Sequence, residues 1–244
     1  MPCTNATSVS SHDFNMAGRH RLGYGVHGTA VLRPCSCRAG SNSAVDHAMV
    51  CDATAKQRTF RHDSYASAWR RVLHKAGIAT TAEPRYGAIV GNAARAAAAG
   101  LHRGDILAVV DGEMTACDIV VTHPGTASYV ASAAQTTRAT ARRAEQRKVT
   151  AWNAVGRDSG YAFVPIAAET YGQLGIQASH FLSKIGDVAA AGGISKARFV
   201  RAAHAELSCA LVKGMGTVYS RSMHETVRAA GRAFDPGSDV PVLD

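Results

Sequence analysis

Residues 104–124, GDILAVVDGEMTACDIVVTHP, restrict what this chain can fold into more than any other stretch. Ile106 to Val110 form a continuous apolar run too short for a helix, as do Ile119 to Val121, and Asp111-Gly112 between them is a strong two-residue hairpin signal. With that loop the register follows by counting outward: opposed residues lie equally far on either side of Asp111-Gly112, which puts Asp105 opposite Asp118. Like charges directly opposite destabilise a ladder, and two carboxylates kept there are usually offset by a cation. Mg²⁺ suits such a pair because it prefers oxygen ligands and keeps waters or substrate phosphate oxygens in the rest of its shell. The alternative is an edge hairpin whose aspartates are solvent-facing strand ends. A four-residue loop would shift the register and part the two.

At 244 residues the chain can build one sizeable core with appendages. Lys and Arg outnumber Asp and Glu by 27 to 18, a net charge of +9, which favours an anionic partner such as nucleic acid. A basic protein without such a partner is the alternative. No apolar run approaches the ~20 residues that span a bilayer, and residues 1–10 lack the charged and apolar regions of a signal peptide, so an intracellular protein is expected. Its six cysteines are then expected as thiols or metal ligands, and Asn5-Ala6-Thr7 as a chance match to a glycosylation sequon.

Residues 1–32 are polar and without sustained periodicity, and are expected to be loosely ordered. Cys35, Cys37, His47 and Cys51 follow as C-x-C-x9-H-x3-C, four soft ligands that suffice for a tetrahedral Zn²⁺ site; the alternative is free cysteines in a flexible segment. Tyr65, Ala68, Trp69, Val72, Leu73 and Ala76 recur at helical spacing, with Asp63 placed as N-cap and Gly77 just past the end. Residues 78–84 read as a short strand and 85–100 as a Gly- and Ala-rich insertion.

A long helix is expected over 131–155. On its wheel Arg138 and Arg142 form one exposed row and Arg143 and Arg147 another, whereas Lys148 falls among Ala141, Ala144, Ala151, Trp152 and Val155, the face that packs on the sheet. Snorkelling along the apolar surface is the ordinary explanation of such a lysine. Residues 161–167 read as a strand, its Pro165 suggesting an edge position or strand end. Helices are expected over 176–190 and 195–213, and a weaker one over 219–230. The fold class is α/β or α+β with a small mixed sheet.

The order helix, strand, strand, strand, helix, strand, with acidic residues on the second and third strands, resembles the restriction-endonuclease-like core, the PD-(D/E)XK superfamily. The run of Cys35, Cys37, His47 and Cys51, Arg61-His62-Asp63, Gly104-Asp105-Ile106, Asp118, Val121-Thr122-His123-Pro124, and Arg147-Lys148 with Trp152 resembles, more narrowly, the C-terminal region of certain non-LTR retrotransposon polyproteins. There a zinc-knuckle-like motif precedes a restriction-like endonuclease. The resemblance covers about residues 19–175; the expected segments are a loose one over 1–32, a zinc-knuckle-like one over 33–60, an endonuclease core over 61–175 and a helical extension over 176–244, whose helices are expected to belong to the same unit as the core. The resemblance matches Asp105 to the first aspartate, Asp118 to the second acid, and Lys148 to a lysine that in this branch sits on the following helix. Val120, two residues after Asp118, cannot do a lysine's work. The chain departs from the pattern in having Gly104 where proline is usual and Trp152 where tyrosine is common.

The resemblance implies a nuclear, Mg²⁺- or Mn²⁺-dependent DNA endonuclease that nicks a target site, with catalytic residues Asp105, Asp118 and Lys148 and the metal on the two aspartates. Arg138, Arg142, Arg143 and Arg147 would grip the DNA backbone, and Glu83 or Asp63 would supply a further acidic contact. Element RNA and the parent polyprotein's reverse transcriptase are the other partners implied. Nothing in the sequence resembles a reverse transcriptase, so a detached C-terminal portion or a decayed copy is expected. One rival is a catalytically inactive nucleic-acid-binding module of the same fold. Another is an unrelated metal-dependent hydrolase with Asp105, Asp118 and His123 as ligands.

Overall fold

The computed structural model describes residues 6–22, 37, 46–98 and 103–232, with side chains to Ser220. In chain order the elements are α1 (Ser11–Arg21), α2 (His47–Val50), a 3-10 turn (Asp52–Thr54), α3 (Ala55–Lys75), β1 (Thr80–Ala82), α4 (Tyr86–Ile89) and α5 (Ala93–Ala98). There follow β2 (Ile106–Val110), β3 (Glu113–Thr122), α6 (Val130–Gln135), α7 (Ala139–Val155), β4 (Ala162–Glu169), α8 (Ile176–Ala191) and α9 (Lys196–Arg232). They divide into two compact units, one of residues 1–9 with 62–211 and one of residues 10–61 with 212–244.

The first unit is a mixed α+β structure around one four-stranded sheet of order β1-β2-β3-β4. β1 to β3 form antiparallel pairs, and β4 joins β3 in parallel at the edge, where a strand containing Pro165 is tolerated. The hairpin register is the one that counting from Asp111-Gly112 requires: Ile106 pairs with Cys117 and Val110 with Glu113. Asp111 and Gly112 both take positive φ, 53° and 79°, as a tight two-residue hairpin turn demands.

Because side chains alternate along a strand, the two sheet faces collect different residues. Ile106, Ala108, Val110, Cys117, Ile119, Ile166 and Ala168 turn to one face, where Tyr65, Trp69 and Leu73 of α3, Phe181 and Ile185 of α8 and Leu207 of α9 bury them. Leu107, Ala116 and Phe163 turn to the other, covered by Tyr86 and Ile89 of α4 and by Trp152 and Val155 of α7, while Ala141 and Ala144 of α7 pack on Ala167. Asp105 and Asp118 have the parity of this second, α7-covered face. α8 and the first half of α9 thus complete the sheet's core, although the sequence boundaries set them apart as an extension.

Four boundaries differ from expectation. Within 1–32, residues 11–21 are helical, with the Ser10 hydroxyl accepting from Asp13 N–H as N-cap. α3 begins at Ala55, eight residues before Asp63, whose carboxylate faces the His62 ring at 3.2 Å and caps nothing. The expected helix over 131–155 is broken between Gln135 and Ala139, where Arg138 is left-handed at φ 66°. The new helix begins there because Glu169, at the end of β4, accepts from Thr140 Oγ1 at 2.5 Å and from Ala141 N–H at 3.3 Å. Past Lys213 the chain remains helical, so the segments expected over 195–213 and 219–230 are one helix.

In the second unit Met16 of α1, Ala48 and Met49 of α2, and Met215, Val218 and Tyr219 of α9 form a small core of their own. Gly214 and Gly216 let Arg61 and Asp13 lie against α9, where a Cβ would collide with their side chains.

Candidate active site

The aspartates sit where β2 parts from β3. Asp105 N–H still reaches the Cys117 carbonyl at 3.1 Å, but Gly104 N–H turns away to the Pro84 carbonyl at 2.9 Å, and Ile119 of β3, still paired with Ile166 of β4, has no partner on β2. The Asp105 carboxylate takes its place, Oδ2 accepting from Ile119 N–H at 2.5 Å. Gly104 fits tightly here for a reason the sequence does not reveal. A Cβ would stand 3.0 Å from Cζ and Oη of Tyr86, a fully buried ring on α4.

Lys148 of α7 completes the cluster, its Nζ 2.7 Å from Asp118 Oδ2. The lysine holds this position because α7 is anchored along its length. Glu169 caps its start, Glu145 accepts from the N–H groups of Ile176 and Ala178 at the head of α8, and Trp152 stacks on Phe163 at 4.8 Å with planes 7° apart. Burial pushes the Glu145 carboxyl upward against the pull of those N–H groups. Gly175, just before α8, leaves the room that the Glu145 carboxylate occupies.

A fourth member, His62 of α3, is added by the tertiary structure. Its Nε2 lies 3.1 Å from the Ile119 carbonyl oxygen and 3.5 Å from Asp105 Oδ2, and its Nδ1 lies 3.2 Å from Asp63 Oδ1. Both ring nitrogens face oxygen acceptors, so the ring acts as a doubly protonated donor. The hydrogen bond to Asp105 leads in pushing its pKa up to about 9, against the effect of burial. The signal for His62 was its place three and seven residues before Tyr65 and Trp69 on the buried stripe of α3, hidden once Asp63 was read as the cap.

The two carboxyls titrate as a coupled pair. Burial pushes Asp118 up to about 6, Lys148 opposing and the neighbouring Asp105 reinforcing. Burial also works against the Asp105 charge, but His62 and the Ile119 N–H outweigh it and hold Asp105 below the usual carboxylate range. Each carboxyl acts on the other, drawing Asp105 down and pushing Asp118 up.

Two neighbouring carboxylates and the Ile119 carbonyl beside Asp105 are hard oxygen donors that fit a small dication, and the buried Tyr86 hydroxyl, which the charges of both aspartates reach, has no hydrogen-bond partner among the described residues. Burial first, and the charges of Asp118 and Asp105 next, raise the Tyr86 pKa, so it remains a proton donor. Asp63 reaches the cluster through His62, whereas Glu83 pairs with Arg103 at 3.0 Å. His123 hydrogen-bonds Thr170 Oγ1 through Nδ1 at 2.8 Å, and among the described residues no metal-sized group joins it to Asp105 and Asp118. The hydrolase reading that made His123 a ligand therefore lacks its third donor.

Arg142, Arg143 and Arg147 are exposed on α7, the Arg143 guanidinium lying 5.3 Å from the Tyr129 ring centroid; Arg138, half-buried, precedes the helix. In the second unit Cys37, His47 and Cys51 converge, with ligand atoms all within 4.8 Å of one another and Cys37 Sγ 3.4 Å from His47 Nε2. Cys35, the fourth residue of that motif, lies outside the described residues. No described helix is long and apolar enough to cross a membrane. No protein-family model and no curated protein matches this chain.

Proposed function

We propose that the chain is a metal-dependent DNA endonuclease with a restriction-endonuclease-like core, derived from a retrotransposon polyprotein and working in the nucleus on DNA. The observation that carries this reading is the meeting of Asp105, Asp118 and Lys148 where β2 parts from β3, from the two strands of a hairpin and a later helix. Asp105 and Asp118 would hold Mg²⁺ or Mn²⁺, which supplies Lewis acidity at the phosphodiester and activates water. Lys148 presents an ammonium to charge developing on the phosphate, and the Tyr86 hydroxyl offers a hydrogen bond to an oxygen entering the buried side. Arg142, Arg143 and Arg147 hold the flanking backbone through phosphates. Cys37, His47 and Cys51, with Cys35, are proposed to bind one Zn²⁺.

One observation favours the rival, a nucleic-acid-binding module without catalysis. His62 and Lys148 already neutralise the carboxylates, as they would in a site that no longer takes metal. The test is nicking of plasmid DNA with Mg²⁺ or Mn²⁺ by wild type and by the Asp105→Ala/Asp118→Ala double variant. Cleavage by wild type alone supports the endonuclease. Equal background in both, with DNA binding retained after metal removal, leaves the binding module.

A further inference from the structure

We propose that His62 gates the metal position: without metal, its ring N–H holds the place between the Asp105 carboxylate and the Ile119 carbonyl that a divalent cation must take. The inference rests on the endonuclease reading and adds a control element to that site.

Three observations carry it. First, the Nε2–H is directed at two oxygens, Ile119 O at 3.1 Å and Asp105 Oδ2 at 3.5 Å, both hard donors of the kind a small dication binds. A cation and this N–H compete for the same lone pairs and cannot both be satisfied. Second, these oxygens are available only because β2 leaves β3 at Gly104. In a continued ladder Gly104 would face Ile119, but its N–H goes to Pro84 and the vacant edge is filled by two side chains, Asp105 on the N–H and His62 on the carbonyl. Third, the ring has somewhere to go. The His62 side chain is 31 % exposed, and its other nitrogen contacts Asp63, a carboxylate 68 % exposed on the same helix. Rotation toward solvent frees the carbonyl and keeps the Asp63 contact within reach. Lys148 meets the other carboxylate, Asp118, and leaves the place between Asp105 and the Ile119 carbonyl to His62.

Mn²⁺ binding to the full chain, measured by calorimetry at one fixed near-neutral pH, tests this without relying on cleavage. Removing the competitor in His62→Ala is expected to tighten Mn²⁺ binding roughly tenfold, the scale of one charge-assisted hydrogen bond. His62→Gln keeps a neutral N–H for the carbonyl and should fall between wild type and His62→Ala; it decides the matter if the alanine variant fails to fold. In wild type, Mg²⁺ should also shift the ¹⁵N resonance of His62 Nε2 as its hydrogen bonds break. Weaker binding in His62→Ala would make the histidine a ligand, and unchanged binding a bystander. Either result overturns the gate and leaves the endonuclease reading standing. If Asp105→Asn or Asp118→Asn removes no Mn²⁺ binding from wild type or the His62 variants, both ideas fall.

Discussion

Among the described residues, the Cys/His cluster and the aspartate cluster are assembled in opposite ways. Cys37, His47 and Cys51 come from one short stretch, and their soft donors already touch, with sulfur and nitrogen 3.4 Å apart. Asp105, Asp118, Lys148 and His62 come from a hairpin and two helices separated by up to about a third of the chain, and each is held by its own element. The second cluster also carries its own cations. A Zn²⁺ bound to the Cys/His group would contribute folding free energy to the unit that contains it. Loss of metal from the aspartate pair should leave the sheet intact, since β-ladder bonds, Lys148 and His62 hold the carboxylates without it. Local ligand sets thus give structural metal sites that double as folding devices, whereas ladder-built sets can bind and release metal on a finished scaffold.

The largest expected effect tests the ladder-built half of that contrast. Lys148→Ala should lower nicking by orders of magnitude while circular dichroism and DNA affinity stay near wild type, and Glu113→Ala, at the exposed hairpin turn, should cleave normally. Normal cleavage by Lys148→Ala would return this lysine to a charge neutraliser. Next comes the local half. Purified protein should carry one zinc per chain under reducing conditions, and Cys51→Ser should lose it together with several degrees of thermal stability. Loss of zinc with no change in unfolding would erase the contrast between the two clusters.

A smaller effect belongs to α7. Neutralising Arg142 and Arg143 together should weaken DNA binding about equally for all sequences and reduce the slope of log affinity against log salt by about two; an unchanged slope makes this a solvated face. The smallest is pH-linked. His62 is raised to about 9 in the folded chain from an ordinary 6.5, so its stabilisation is complete below 6.5 and is lost as pH rises through about 9. Metal-free wild type should therefore lose thermal stability from neutrality to above pH 9 more steeply than His62→Gln. Asp118 acts in the same direction at lower pH: raised to about 6 from 3.8, it takes up a proton on folding, and stability declines across that interval as pH rises. Parallel curves for the wild type and the glutamine variant would mean that the His62 ring is neutral.

By itself the sequence determined whatever a repeating backbone period can carry. Asp111-Gly112 with the two-residue alternation of strands set Asp105 against Asp118, and the helical period turned Lys148 toward the sheet; both follow from local geometry that neighbouring residues share. Tertiary structure decided what depends on a partner distant in the chain. Glu169 ends the bend at Arg138 and starts α7, so no residue near 136–138 announces the break. Tyr86 crowds any side chain at position 104, and His62 enters the site only because the strand next to Ile119 stops one residue short. A hydrogen-bonding group left unpaired by a departing strand is satisfied by whatever the packed chain brings near. Only the three-dimensional fold, in which α3 lies beside the end of β2, supplies a histidine there.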